Sequence, residues 1–346
     1  MIPLIAFTLL TPPPDTLRFG PEDIDALPAA MTRVEQRGGR LIVELPAIEV
    51  PAEAAIRTPV YRVSVPFAVS LYGFAVEVAD EAGGALPPDR LHHVVFTDPN
   101  RRELFLPLAL PIFAASKESP RPVFPKYRVG VVLPASTRYI VAAMFANPES
   151  RPRPMVVRLV LSFVRPGRIV PLAWAYAWTM DVTYPLGGAG GRHDFDLPPG
   201  RSSYSWEASP QIPGTIVAMG GHAHDYATAI QFEDVTAAKT IWRQVPVHDT
   251  AGHVHDIPGT RFTRWYRLGV HIEPSHTYRV SVVYDNPTGV RIPFGGMGSV
   301  AGLFVPDRRQ AWPRLDPRDP VYRAQINNLL TNMAGAEMVE TASHHH

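Results

Sequence analysis

A chain of 346 residues, 46% of them hydrophobic, is long enough for two domains with separate cores. Its formal charge of +1, with Lys and Arg scattered along the chain, excludes the clustered basic face of a nucleic-acid binder. The absence of Cys removes disulfides, zinc–thiolate sites and thiol catalysis. The 38 prolines, set between short apolar runs, point to an all-β protein, because proline is excluded from helix interiors and central strands.

In chain order, residues 1–37 form an N-terminal segment. Its apolar run, residues 2–10, has no basic residue before it, which gives a signal peptide poor support. A first β-sandwich is expected over 38–166, with alternating strands at 40–45, 60–69, 71–78 and 139–145. Within it, PDRLHHVVF carries His92 and His93. Adjacent residues of a regular strand face opposite ways, so the two reach one ion only at a bulge or a strand end; otherwise one faces the core and one the solvent.

The apolar run 169–180 is too short to span a bilayer and contains Pro171, so it reads as a buried linker or strand, and no transmembrane segment is expected. A second β-sandwich is expected over 167–308, with strands at 215–220, 227–232 and 277–284. Turn signals separate the strands: DPN at Asp98, NPES at Asn147, LPPG at Leu197 and DNPTG at Asp285. The tail, 309–346, has room for one amphipathic helix in PVYRAQINNLLTNMAGAEM, and its closing His344 to His346 read as a purification tag. Antiparallel sandwiches of jelly-roll type are the economical architecture.

An internal repeat organises the two halves. At one constant shift Tyr127, Arg128, Gly130, Val131, Asn147 and Pro148 meet Tyr266, Arg267, Gly269, Val270, Asn286 and Pro287. Two copies of one β-domain are the simplest account.

The chemistry concentrates in GGHAHDYA and FGGMGSVAGLFV. On a strand, residues i and i+2 share a face, so His222 and His224 offer two imidazoles to one ion. The thioether of Met297 is a poor ligand for zinc or magnesium and a good one for Cu(I). Among 13 histidines, the His-X-His also suits a hydrogen-bonding surface pair, and Met297 between glycines also suits a core gap-filler. Asp225 orients an imidazole or, as the favoured reading, faces solvent. His248, His253 and His255, in a Gly- and Pro-bearing loop, are read as solvated, while His193 beside a Gly-rich stretch is free to swing toward a cleft between the domains. Tyr284 is read as packing.

In these motifs, over residues 60–306, the chain resembles the copper type II ascorbate-dependent monooxygenases, the family of peptidylglycine alpha-hydroxylating monooxygenase and dopamine beta-monooxygenase. The resemblance rests on His92 and His93 in the first domain, and on LPPG at Leu197, His222, His224 and Met297 in the second. It implies two jelly-roll domains, one copper on the histidine pair plus a third histidine, and a second copper on His-X-His and Met. It further implies O2-dependent hydroxylation of a C–H bond of a small-molecule substrate, with ascorbate or another small reductant as electron source. An oxidising, copper-supplied compartment such as a periplasm, or secretion, follows as an expectation.

Three departures matter. Where the family's third first-domain histidine lies, this chain has Met144, with Met155 as another soft side chain nearby. Positions that bind a peptide carboxylate in the family correspond here to Gly220, Ser299 and Ala301, which speaks against a peptidylglycine substrate. The family's disulfides cannot form without Cys. A copper-binding module without turnover, and a metal-free sandwich used for binding, therefore stand beside the monooxygenase reading.

Overall fold

The computed structural model describes residues 17–35, 38–116, 127–168, 170–185, 187, 193–249, 253–262, 269–308, 312–331 and 340–341. The expected signal-like run at 2–10 and the closing histidines lie outside the described residues.

The first half forms β1 (Met31–Glu35), β2 (Arg40–Glu44), β3 (Ile48–Val50), β4 (Ala54–Arg57), β5 (Tyr61–Val65), β6 (Val69–Ala79), β7 (Leu91–Arg102), β8 (Ala109–Ser116), β9 (Val129–Leu133), β10 (Ser136–Asn147) and β11 (Arg153–Val164). The second half forms β12 (Ala173–Asp181), β13 (Phe195–Leu197), β14 (Gly200–Ala208), β15 (Gly214–Ala223), β16 (Ala227–Asp234) and β17 (Lys239–Gln244). After these come the short β18 (Val247–His248), β19 (Val254–Asp256), β20 (Thr260–Arg261) and β21 (Val270–Ile272), and then β22 (Tyr278–Asn286), β23 (Ile292–Gly296) and β24 (Gly298–Pro306). One helix, α1 (Pro320–Thr331), and β25 (Glu340–Thr341) end the described chain.

Strand pairing makes two jelly rolls. In the first, β2-β11-β6-β9 faces β4-β10-β7-β8; in the second, β12-β24-β15-β21 faces β14-β22-β16-β17. Numbered within each copy, one sheet joins the first, eighth, third and sixth strands and the other the second, seventh, fourth and fifth, which is the double Greek key of a jelly roll. The cores are separate: Leu41, Val94, Phe96, Phe145, Leu159 and Leu161 belong to the first, and Trp178, Ile216, Phe232, Val280, Tyr284 and Phe304 to the second. Alternation explains this along β22 and, apart from their bulges, β7 and β16, whereas β10 is buried on both faces, with Tyr139, Val141, Ala143 and Phe145 in the first core and Ile140 and Ala142 under the C-terminal helix.

The repeat extends to side-chain roles. Asn147 Nδ2 donates to the carbonyls of Val50, Pro51 and Arg151 while Oδ1 accepts from the Glu149 N–H. Asn286 Nδ2 donates to Leu197, Pro198 and Val290 while Oδ1 accepts from the Thr288 N–H. Both asparagines are buried and knit an Asn-Pro turn to the neighbouring strand connection, which satisfies carbonyls that water does not reach.

The copies are welded into one structure. β9 of the first pairs in parallel with β12 of the second, so one sheet runs through both domains. Leu104 and Phe105 of the first half enter the second core, and the buried Glu103 carboxylate accepts the N–H groups of Phe105, Leu106 and Thr179. β1, inside the expected N-terminal segment, is an edge strand of the first sandwich. The C-terminal helix returns to the first domain, where Tyr322 and Ile326 pack on Ile140 and Ala142 and the Tyr322 hydroxyl donates to Pro99 O. DPN at Asp98 does not end a strand: β7 runs through it with a register break, because Asp98 Oδ1 captures the Asn100 N–H locally. The run at 169–180 supplies strand β12. No helix among the described residues is long and apolar enough to cross a membrane.

Candidate metal centre

β15 and β24 carry the second-domain residues. After a register irregularity between Ile216 and Ala218, Met219 and Ala223 point into the core. The alternate positions, Ala218, Gly220, His222 and the following His224, therefore lie on the outer face. The rings of His222 and His224 stand side by side, with centroids 5.5 Å apart and planes at 84°. Both side chains are half-buried.

Ala223 pairs with Gly298, so His224 and Met297 come next on their two chains at the open end of the sheet. Tyr284 fastens them. Its hydroxyl accepts the N–H of His224 at 3.1 Å and the N–H of Met297 at 2.9 Å, and it donates to the Met297 carbonyl. Burial pushes this phenol far above its ordinary pKa, so it keeps the proton that it donates. The glycines flanking Met297 are needed for this approach: a Cβ at Gly296 would stand 2.1 Å from the Phe195 ring, and one at Gly298 2.6 Å from Val282.

In the first domain the histidine pair meets the condition set by strand geometry. Met144 pairs with His93 and Phe145 with Leu91, leaving His92 as the extra residue of a β-bulge. The bulge turns both rings together, with His92 Nδ1 and His93 Nδ1 2.8 Å apart. That separation suits a hydrogen bond, one ring donating to the other. It also suits two nitrogens each about 2.0 Å from a single ion. The alternative of one ring in the core and one in solvent is not what the structure has.

Directly opposed residues of antiparallel strands share a face. Arg57, Met144 and His93 thus form one row across β4, β10 and β7, on the face away from the first core. Met144 is beside the pair, whereas Met155 is buried in the first core.

A second row faces this one. Asp181, Ser299 and His222 are paired across β12, β24 and β15. Asp181 is buried; its Oδ1 accepts from the Thr183 N–H and hydroxyl, and its Oδ2 stands 3.3 Å from His193 Nδ1. His193 is surrounded by protein yet 44% exposed, as a side chain lining an open cleft is.

The rows are close enough to interact. Burial first, then the charges of His92, Arg57, His222 and His193, hold the His93 pKa well below its ordinary value. Burial pulls on His193 in the same sense, but its hydrogen bond to Asp181 and the charge of that carboxylate carry it upward overall. His92, His93, His193, His222 and His224 therefore belong to one interdomain region rather than two unrelated surfaces.

The other candidates separate from it. Asp225 does not face solvent as an unpaired strand charge: Oδ2 binds His253 Nδ1 at 2.7 Å and Oδ1 accepts the Val254 N–H. His248 and His255 are exposed on the small β18–β19 hairpin. His271 and His276 pair with Asp307 and Asp234.

Among the described residues no group of three or more His, Cys, Asp or Glu side chains converges as a metal cage. An ion at either histidine pair would depend on a methionine as a further donor, Met297 or Met144. A donor set of two imidazoles and a thioether fits Cu(I) better than any hard cation.

Sequence reasoning passed over three residues here. Tyr284 was assigned to packing, yet the repeat contains a signal, because the same shift places Phe145 against Tyr284: the hydroxyl appears only in the copy that carries Met297. Arg57 and Asp181 carried no motif at all.

No protein-family model matches the chain, and no curated protein matches it. Among solved structures it is similar to Sulfolobus turreted icosahedral virus at 9% identity and a TM-score of 0.20, covering 80% of this chain and 62% of that one. It is also similar to the infectious bursal disease virus VP2 subviral particle at 9% identity and a TM-score of 0.24, covering 84% and 78%. A third is the mavirus major capsid protein, at 10% identity and a TM-score of 0.17, covering 81% and 86%. At these scores the jelly-roll assignment rests on strand pairing, and no role passes from those proteins to this chain.

Proposed function

We propose that this chain binds copper through His222, His224 and Met297 and uses it for O2-dependent hydroxylation of a C–H bond in a small molecule other than a peptidylglycine. The observation that carries the reading is the Tyr284 hydroxyl, which joins the backbone of His224 to that of Met297. A buried tyrosine that satisfies strand ends at those two residues keeps the backbone of Met297 next to that of His224.

In this reading His92, His93 and Met144 hold a second copper. When bound, copper supplies O2 activation and one-electron transfer, with ascorbate or another small reductant as the source of electrons. The chain's own residues do the rest. The depressed pKa of His93 keeps its ring neutral at pH 7, the form that coordinates a metal. Asp181 fixes His193 through Nδ1 and leaves Nε2 for the cleft.

A second reading, a copper-binding module without turnover, is favoured by Met144 standing where a third imidazole would complete the first-domain site. Copper stoichiometry of the chelator-stripped protein, beside H222A and M297A, is the test. Loss of one equivalent in both variants supports the second-domain site. Reductant-dependent O2 consumption by a protein with two equivalents supports the monooxygenase, and its absence the module. No copper in any of them leaves a metal-free sandwich.

A further inference from the structure

Arg57 ends the row that begins at His93, and it is anomalous. Its Nε is buried with no hydrogen-bond partner, and among the described residues it makes no ion pair. A guanidinium is charged at every accessible pH and has five donors to satisfy. Arg57 as a whole is half-buried, but its Nε–H is cut off from water, and a buried N–H without an acceptor costs free energy that a bound acceptor would recover.

The neighbouring carboxylates are engaged elsewhere. Asp181 is saturated by Thr183 and His193, and Asp225 by His253 and Val254. The groups on which Arg57 acts are two imidazoles, one in its own row and one on the opposite side. Its positive charge bears on both His93 and His193, and His193 is itself inclined to carry a proton. The anionic charges of the cleft, Asp181 and Asp194, act on His193 and leave Arg57 without a counter-ion among the described residues.

We propose that Arg57 receives the carboxylate of a small anionic substrate bound between the two histidine pairs, an assignment that rests on the cleft being the working site proposed above. The planar fork of one guanidinium matches a carboxylate in geometry and charge, whereas a phosphate would call for further donors.

Size follows from the sheet. Arg57 and His93 are two strands apart in one row, and strands lie about 4.8 Å apart, so the row spans about 10 Å. A molecule anchored at Arg57 and reaching the histidines is a compact monocarboxylate, with its reacting carbon remote from the carboxylate. The anchor stands on the first domain, and Gly220 and Ser299 on the second offer it no cation.

Metal-free protein with 15N-labelled arginine decides the matter. The Nε–H resonance of Arg57 is identified by its disappearance in R57K, and the wild-type protein is titrated with acetate and, separately, with acetamide at constant ionic strength. Acetate is small enough to enter any site that a larger carboxylate enters. The expected result is a saturable displacement of that resonance by millimolar acetate and none by acetamide, with at least tenfold weaker acetate stabilisation against heat in R57Q. An unmoved resonance, an equal response to acetamide, or undiminished stabilisation in R57Q overturns the proposal. Copper stoichiometry of R57K and R57Q keeps the two readings apart: an acetate response in protein that takes no copper retains the anion site and removes the metal, and normal copper without an acetate response does the reverse.

Discussion

Replacing Tyr284 with Phe removes one oxygen atom and leaves three backbone groups to find new partners: the N–H groups of His224 and Met297 and the carbonyl of Met297. Phe145 occupies the equivalent position of the first copy and is fully buried there, so the ring itself fits. A buried polar group left unpaired costs about 1–3 kcal/mol. These strand ends are only part-buried, and water would recover a fraction, so the expected destabilisation is about 2–4 kcal/mol, against a domain stability of about 5–15 kcal/mol.

Y278F is the matched control. It deletes another buried hydroxyl of the same sandwich, one that accepts the single N–H of Glu273, at an expected cost of about 1 kcal/mol. All 6 tryptophans lie in the second half of the sequence, so urea unfolding followed by tryptophan emission reports on this domain. Y284F, but not Y278F, should also weaken copper binding by about 10–100-fold, the effect of releasing the groups that orient a ligand. Equal destabilisation by the two variants, with copper binding intact in both, would refute the clamp.

N147A and N286A should each cost about 2–4 kcal/mol through the carbonyls they orphan, and because the two copies are welded by the β9–β12 pairing and Glu103, both should bring the tryptophan emission transition forward; an N147A curve that matches wild type would argue against that coupling. In chelator-stripped protein, His93 binds a proton more readily unfolded than folded, so its contribution to stability falls as pH drops below about 6.5, by up to about 1.4 kcal/mol per unit. H93Q should flatten that slope between pH 6.5 and 5 when unfolding is followed by circular dichroism, and an unchanged slope would contradict the burial of a neutral ring. M144L, close to isosteric, should change stability by less than about 1.5 kcal/mol while lowering copper occupancy of the first domain. Full occupancy in M144L would exclude the thioether as a donor.

The strand periodicity was legible where one face is solvated, as along β22, and the shared Asn-Pro turns announced a duplication that the two asparagine clamps bear out in detail. His-X-His was legible for the same reason: period two fixes the face of His222 and His224. The site's other half was not. The bulge at His92 is a matter of register against β10, which has no local signature, and it alone turns adjacent histidines toward one point. Nor does sequence reveal which outer face meets which: the approach of the Arg57 row to the Asp181 row depends on β9 pairing with β12 and on Glu103 gripping Thr179, both long-range events. Arg57 became conspicuous only by its missing partner, a property of the packed structure.

Copper K-edge absorption of the Cu(I)-loaded protein tests the centre most directly, with wild type compared against M297L. A shell of imidazole nitrogens together with a sulfur scatterer, the sulfur signal reduced in M297L and the nitrogen shell retained, is the predicted result. A wild-type spectrum without sulfur, or one that M297L leaves unchanged, would contradict a copper held by His222, His224 and Met297.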